Sequence, residues 1–322
     1  MDIALALGGG GIKGTAHLGV IDRLETLGFR VRAIAGTSAG GMIGAAYAAG
    51  NSPLEILKAI QNLDVSTMYR RQPDDGPSFL GHAGLIDALS KLLGEKSFSD
   101  LGIPFACTAV DLNSSREIYL QEGNVLVAAS ATMAVPGILP PVKYADLLLV
   151  DGGVLDPVPV CLARLLAPNL PIIAVALSPG TEDWENIPHI NLLETTPLPI
   201  PVPASLLQSF SRMRFGQALK IFSQSLEIST MMLTELRLKI DRPDIILRPN
   251  VAGIGMFDQV NPETLFEEGR KCVDDQILNL RREVSWRGKV DHLFRRIQPP
   301  GEMMVLRNVS PEGIDQKKAN HK

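Results

Sequence analysis

The sequence predicts an α/β fold of three layers, with helices on both faces of a mainly parallel central sheet. Three observations carry that prediction. Strand-like apolar runs alternate with helix-like runs along the chain. Several helix-like runs carry start or stop signals. Glycine-rich or acidic turns follow directly on strands, where parallel sheets place their ligands.

The elements follow in order. Ile3 to Leu7 is a first strand. A helix from Thr15 to Leu27 repeats Leu18, Ile21 and Leu24 at three-residue spacing and stops at Gly28. Val31 to Ala35 is a second strand, read as buried on both faces. Gly40 to Ala49 is a helix of small residues that can lie close to a sheet. Ser52, Pro53 and Glu55 open the next helix, which runs to Leu63: a hydroxyl cap, a proline at the first position and an acid three residues after the cap. Asp64 to Gly81 reads as a polar surface excursion. Strands are expected at Ile103–Val110, Glu117–Leu120, Leu147–Val150, Pro171–Leu177 and Asp244–Leu247, and helices at Asn124–Met133, Ala204–Lys239 and Asn261–Leu280. Residues 1–280 are expected to form one domain. Residues 281–322 are expected to be a partly disordered extension.

Composition narrows the function classes. Of 322 residues 45% are hydrophobic and 20% charged, as in an ordinary globular protein. A formal net charge of -4 and a pI near 5.8 speak against nucleic-acid binding. Cys107, Cys161 and Cys272 are too widely spaced for a disulfide framework or a metal site, and Cys107 reads as a small core residue. No apolar run reaches the ~18 residues of a membrane-spanning helix. The N-terminal apolar stretch lacks a basic flank and reads as a strand, not a signal peptide. A cytoplasmic protein is expected, with peripheral membrane contact as the alternative use of the basic segment Arg281 to Arg296.

Three short segments carry the chemistry. Gly36-Thr37-Ser38-Ala39-Gly40 is G-x-S-x-G between a strand and a small-residue helix, the context of a nucleophile elbow. The helix that follows points its positive end at Ser38. Gly8-Gly9-Gly10-Gly11-Ile12-Lys13-Gly14 follows the first strand, and its unobstructed N–H groups can cradle a negative oxygen. A phosphate loop needs Gly-Lys-Ser/Thr, and here the order is Lys13-Gly14-Thr15, so that match fails. Gly9, Gly11 and Gly14 fit a dinucleotide fingerprint, but the second strand ends on Gly36, Thr37 and Ser38 where that reading needs an acid. Asp151-Gly152-Gly153 directly follows the strand Leu147–Val150 and is, taken alone, a common turn.

Together these segments resemble the patatin-like phospholipase family, most nearly its compact bacterial members. The run Ala129 to Val142 is similar to the family's segment before its D-G-G motif, and the resemblance extends over about residues 1–280. It implies a patatin-like fold and a Ser-Asp dyad, with Ser38 as nucleophile and Asp151 as base. Gly36 and Gly40 would shape the elbow. Gly9, Gly10 and Gly11 would form the oxyanion hole, with Lys13 at the family's basic position in that loop. The substrate implied is a fatty-acyl ester of a phospholipid or lysophospholipid, hydrolysed without metal or cofactor. The alternative is a non-catalytic regulator of the same fold that binds acyl ligands or a protein partner.

Two further expectations concern neighbours of the dyad. Asp156 stands before Pro157 where such proteins often have Asn, and like-charge repulsion from it would raise the pKa of Asp151. A Ser-acid-His triad would need His189, His292 or His321, which lie in Pro-rich or polar surroundings. His17 reads as a hydrogen-bonded core histidine. The apolar residues of Leu192 to Leu207 would line an acyl groove, form a lid or pack between helices.

Overall fold

The computed structural model describes residues 1–73, 75–186, 209–256, 258–284 and 304–305. Its strands are β1 (Asp2–Leu7), β2 (Arg30–Gly36), β3 (Phe105–Asp111), β4 (Arg116–Leu120), β5 (Val142–Tyr144), β6 (Leu147–Asp151), β7 (Ile172–Val175), β8 (Ile245–Leu247) and β9 (Met304–Val305). Its helices are α1 (Thr15–Thr26), α2 (Ala39–Ala48), α3 (Pro53–Gln61), α4 (Val65–Met68), α5 (Ala83–Leu93), α6 (Val125–Thr132), α7 (Val160–Leu166), α8 (Ser209–Asp241), α9 (Pro262–Asp275) and α10 (Ile277–Glu283).

β1 shows how the layers form. Alternate side chains of a strand point to opposite faces, and β1 sorts them by size. Ile3, Leu5 and Leu7 join the larger core, with residues of α1, α2, α3, α5, α6 and α9. Ala4 and Ala6 face the other way, into a smaller core with α7 and Leu238 of α8. Helices therefore cover both faces, as the sequence predicted. Small side chains on the second face let α7 lie close to the sheet.

The sheet runs β5-β6-β3-β2-β1-β7-β8, with β4 on the other edge of β3 and β9 beyond it. Its centre is parallel: β1 pairs in parallel with β2 and β7, β2 with β3, and β7 with β8. On the far side β3 is antiparallel to β4 and β6, and β5 to β6, so the sheet is mixed.

Several elements sharpen the prediction. β2 is not buried throughout. Ile3 pairs with Val31 but Ala4 with Ala33, so Arg32 is an extra, bulged residue. Arg30 and Arg32 are exposed and pair with Asp2, at 2.7 and 3.2 Å. The capping box of α3 forms as expected: the Glu55 N–H donates to the Ser52 hydroxyl at 3.3 Å and the Ser52 N–H to the Glu55 carboxylate at 2.8 Å. The polar excursion contains the short α4, and β5, α5 and α7 were not foreseen. The late helix breaks at Gln276 into α9 and α10. Cys107 is buried in the core. No helix among the described residues is long and apolar enough to cross a membrane. His189, His292, His321, Leu192 to Leu207 and most of residues 281–322 lie outside the described residues.

Candidate active site

The site arises where two strands meet end to end. Cys107 of β3 pairs with Gly36 of β2 on one side and Leu120 of β4 on the other. Ala109 pairs with Asp151 of β6 and Ile118 of β4. A strand has two edges, so β2 and β6 share the edge that β4 does not occupy. β2 runs parallel to β3 and β6 antiparallel, so their carboxyl ends point at each other. Asp151 ends β6, and Ser38 lies two residues past the end of β2. Topology thus joins residues 113 positions apart.

The elbow itself is tight. Ser38 sits at φ 53° and ψ -122°, a conformation that costs a non-glycine residue about 1–3 kcal/mol. Its N–H donates to the Thr132 hydroxyl at 2.9 Å, and the preceding Thr37 N–H donates to the Leu7 carbonyl at 3.0 Å. Gly40 lies directly against β1, where a methyl group would overlap the Leu7 carbonyl oxygen. The turn is therefore wedged between β1 and α6, with no space for a side chain at Gly36 or Gly40.

Asp151 is buried beside Ser38. Burial pushes its carboxyl pKa up to about 6. Hydrogen bonds from the Ser38 side chain and the Gly153 N–H, the latter at 2.8 Å, restrain the rise. The push expected from Asp156 is absent: desolvation, not a second carboxylate, raises this group. The Asp156 carboxylate instead meets Arg237 of α8 at 2.9 Å.

The glycine loop lies over the elbow. A methyl group at Gly9 would stand 3.2 Å from the Ser38 Cβ, so a side chain there would crowd the nucleophile. The Gly9 N–H is already used, donating to the Pro157 carbonyl at 3.0 Å, and the Ile12 N–H donates to the Met256 carbonyl at 3.1 Å. Among the described residues none accepts from the N–H of Gly10 or Gly11. Below the loop, His17 Nε2 lies 2.8 Å from the Gly8 carbonyl oxygen, which can only accept, so this nitrogen holds the proton. Burial lowers the His17 pKa to about 4, leaving it a neutral prop of the loop.

A cleft opens above Ser38 and Asp151. Its walls are mostly apolar: Val135, Val158, Leu177 and Met256 from the sheet side, and Leu226 and Met231 from α8. Lys13 also lines it, buried, with its ammonium 2.7 Å from the Glu227 carboxylate of α8. Such a lining suits a ligand with an apolar part and few polar atoms. Among the described residues no cluster of His, Cys, Asp or Glu could hold a metal ion. Sequence reasoning missed Thr37, Thr132, Glu227 and Arg237. Thr37 had a signal in its place inside the elbow motif, and Thr132 in its place inside the run Ala129 to Val142.

Residues 5–164 match the family model described as patatin-like phospholipase. An uncharacterized NTE family protein of Mycobacterium tuberculosis is 34% identical over 183 residues, 56% of this chain and 50% of that protein. The lysophospholipase nte1 of Emericella nidulans is 30% identical over 208 residues, 58% of this chain but 12% of that protein. The chain thus spans half or less of the length of these curated relatives. VipD of Legionella pneumophila shares the fold, with a TM-score of 0.53 and 13% identity over 87% of this chain and 67% of its own. With the glycine loop, the elbow and Asp151 all inside residues 5–164, the chain carries a patatin-like phospholipase domain.

Proposed function

We propose that this protein hydrolyses fatty-acyl esters of phospholipids or lysophospholipids through a Ser38–Asp151 dyad. The observation that carries the reading is Ser38, held at a strained elbow against a buried carboxylate whose pKa stands near 6, on the floor of an apolar cleft. Above that pH Asp151 is ionised and can take the Ser38 proton as the oxygen attacks the ester carbonyl. The tetrahedral oxyanion is received by the N–H groups of Gly10 and Gly11, each such donor being worth about 3–4 kcal/mol. Gly9 provides space and Lys13 a nearby positive charge. Collapse breaks the ester bond, and Asp151 passes its proton to the departing alcohol. Water, deprotonated by Asp151, then cleaves the acyl-serine. The fatty acid leaves and the proton returns to Ser38.

The patatin-like phospholipase domain and the similarity to a named lysophospholipase support the lipid class, as do the apolar walls of the cleft. The test is a fluorophosphonate probe together with a panel of lysophospholipids and p-nitrophenyl esters. We expect one adduct, on Ser38. We also expect hydrolysis that falls by about a thousandfold or more in Ser38→Ala and loses its base below a pH of about 6. A folded wild-type protein that neither labels nor hydrolyses would instead be a binding protein of the same fold.

A further inference from the structure

Five residues past Asp151, the segment Asp156–Pro157 touches every active element through its backbone. The Asp156 carbonyl accepts from the Thr37 hydroxyl of the elbow at 2.8 Å. The Pro157 carbonyl accepts from the Gly9 N–H of the glycine loop at 3.0 Å. The Asp156 N–H donates to the Gly152 carbonyl of the base turn at 2.9 Å. Since Thr37 gives its single hydroxyl proton to Asp156, the 2.7 Å contact with Thr108 of β3 has Thr108 as donor. Whatever fixes Asp156 therefore fixes loop, elbow and base relative to one another and to the sheet.

The Asp156 side chain is held by a charge from outside residues 5–164. Its carboxylate is fully buried, and a buried carboxylate needs a counter-charge. Arg237 Nη2 lies 2.9 Å from Oδ2 of Asp156. The same guanidinium lies 3.1 Å from Asp241, one turn further along α8, and 4.0 Å from Glu117 of β4. Arg237 is thus clamped between α8 and the sheet, with its free end on Asp156. It touches neither Ser38 nor the cleft.

We propose that Arg237 is a positioning residue for the reaction, acting through Asp156 to keep the glycine loop and elbow in register with Asp151. The inference rests on the serine-hydrolase reading above. Asp156 and Arg237 are the closest contact of a buried cluster that also holds Glu117 and Asp241, in which burial and the neighbouring Glu117 push the Asp156 carboxyl pKa well up, so the arginine is what keeps that carboxyl aligned.

The experiment compares wild type, Arg237→Gln, Asp156→Asn and the double variant. It reads the rate of Ser38 phosphonylation by a fluorophosphonate, and kcat and KM for a soluble p-nitrophenyl ester per titrated site. Each single variant should lose about tenfold or more in phosphonylation rate and kcat, with KM within about twofold. The double variant should lose no more than the worse single variant, because both substitutions break the same contact. A purely structural role would lower thermal stability and the number of active sites while leaving the rate per site unchanged, and that result overturns the proposal. If Arg237→Gln does not fold, Arg237→Lys keeps the charge without the planar fork. A reduced kcat at constant KM supports the proposal, and wild-type kcat overturns it. Wild-type protein unreactive at Ser38 overturns the hydrolase reading and this inference with it. Reactive wild type beside equally reactive single variants overturns this inference alone.

Discussion

The two sides of the cleft over Ser38 and Asp151 are built by different means. On the sheet side, β1, β2 and β6 deliver the glycine loop, elbow and base turn through backbone contacts and small residues. Gly9 abuts Ser38, Gly40 abuts Leu7, and the peptide groups of Thr37, Gly9 and Asp156 are committed. On the helix side, α8 contributes long side chains: Leu226 and Met231 as wall, Glu227 and Arg237 as ionic ties. Backbone contacts have no slack, whereas side chains can re-rotate. The sheet side should therefore fail outright when altered, and the helix side should respond in degrees.

The strongest contrast comes from one small substitution to alanine on each side of that divide. Gly40→Ala places a Cβ against the Leu7 carbonyl, backbone against backbone, where neither can yield. We expect a loss above about 4 kcal/mol, or no folded protein at all. Thr230→Ala, on the wall formed by α8, should cost less than about 1 kcal/mol. Denaturant unfolding decides it. Comparable losses from the two substitutions would erase the distinction.

How much of this was legible in the sequence follows the same divide. Gly36-Thr37-Ser38-Ala39-Gly40 announces its geometry because the constraint is local: strand, turn and helix are neighbours in the chain. The glycine loop is equally local. Asp151 was legible only through the company of those two, since its meeting with Ser38 depends on β6 abutting β2 along β3. Ala83 to Leu93 had a usable signal, with Leu85, Ile86, Leu89 and Leu93 at helical spacing, so α5 could have been found. The ties of α8 had none. Lys13 and Glu227 are 214 residues apart, Asp156 and Arg237 81, and one charge in a sequence does not indicate which other it meets. The expectation that Asp156 would press on Asp151 failed for that reason. Chain proximity was legible, but the direction of the side chain, toward Arg237, was not.

Asp151 tests the cost of the sheet side's chemistry. Its ordinary carboxyl pKa of 3.8 becomes about 6 in the folded protein, so the native state holds this proton more tightly than the unfolded chain. The neutral form carries no penalty below a pH of about 4. The penalty grows as pH rises through 6 and then levels off at roughly 3 kcal/mol. Asp151→Asn keeps the acceptor for the Gly153 N–H and removes the charge. It should match wild type in unfolding free energy near pH 4, exceed it by up to roughly 3 kcal/mol at pH 8, and lack hydrolysis. Equal stability at both pH values would mean that the base is not buried as its surroundings indicate.

The smallest effect is expected from Glu227, where the helix side meets the glycine loop. The Lys13–Glu227 pair spans 2.7 Å, with Lys13 buried and a third of the Glu227 side chain exposed. Solvent reaches the carboxylate and weakens the pair, so Glu227→Gln should change stability by no more than about 1 kcal/mol. The change in the cleft is electrostatic: the Lys13 ammonium loses its counter-charge within reach of a bound ester. A substrate bearing a phosphate should then bind more tightly, with KM falling a few-fold at low salt and the gain fading as ionic strength rises. A neutral p-nitrophenyl ester should show neither effect, and kcat should stay near wild type for both. If instead kcat falls for both substrates with KM constant, Glu227 holds the loop in shape as Arg237 does. The helix side would then be as intolerant as the sheet.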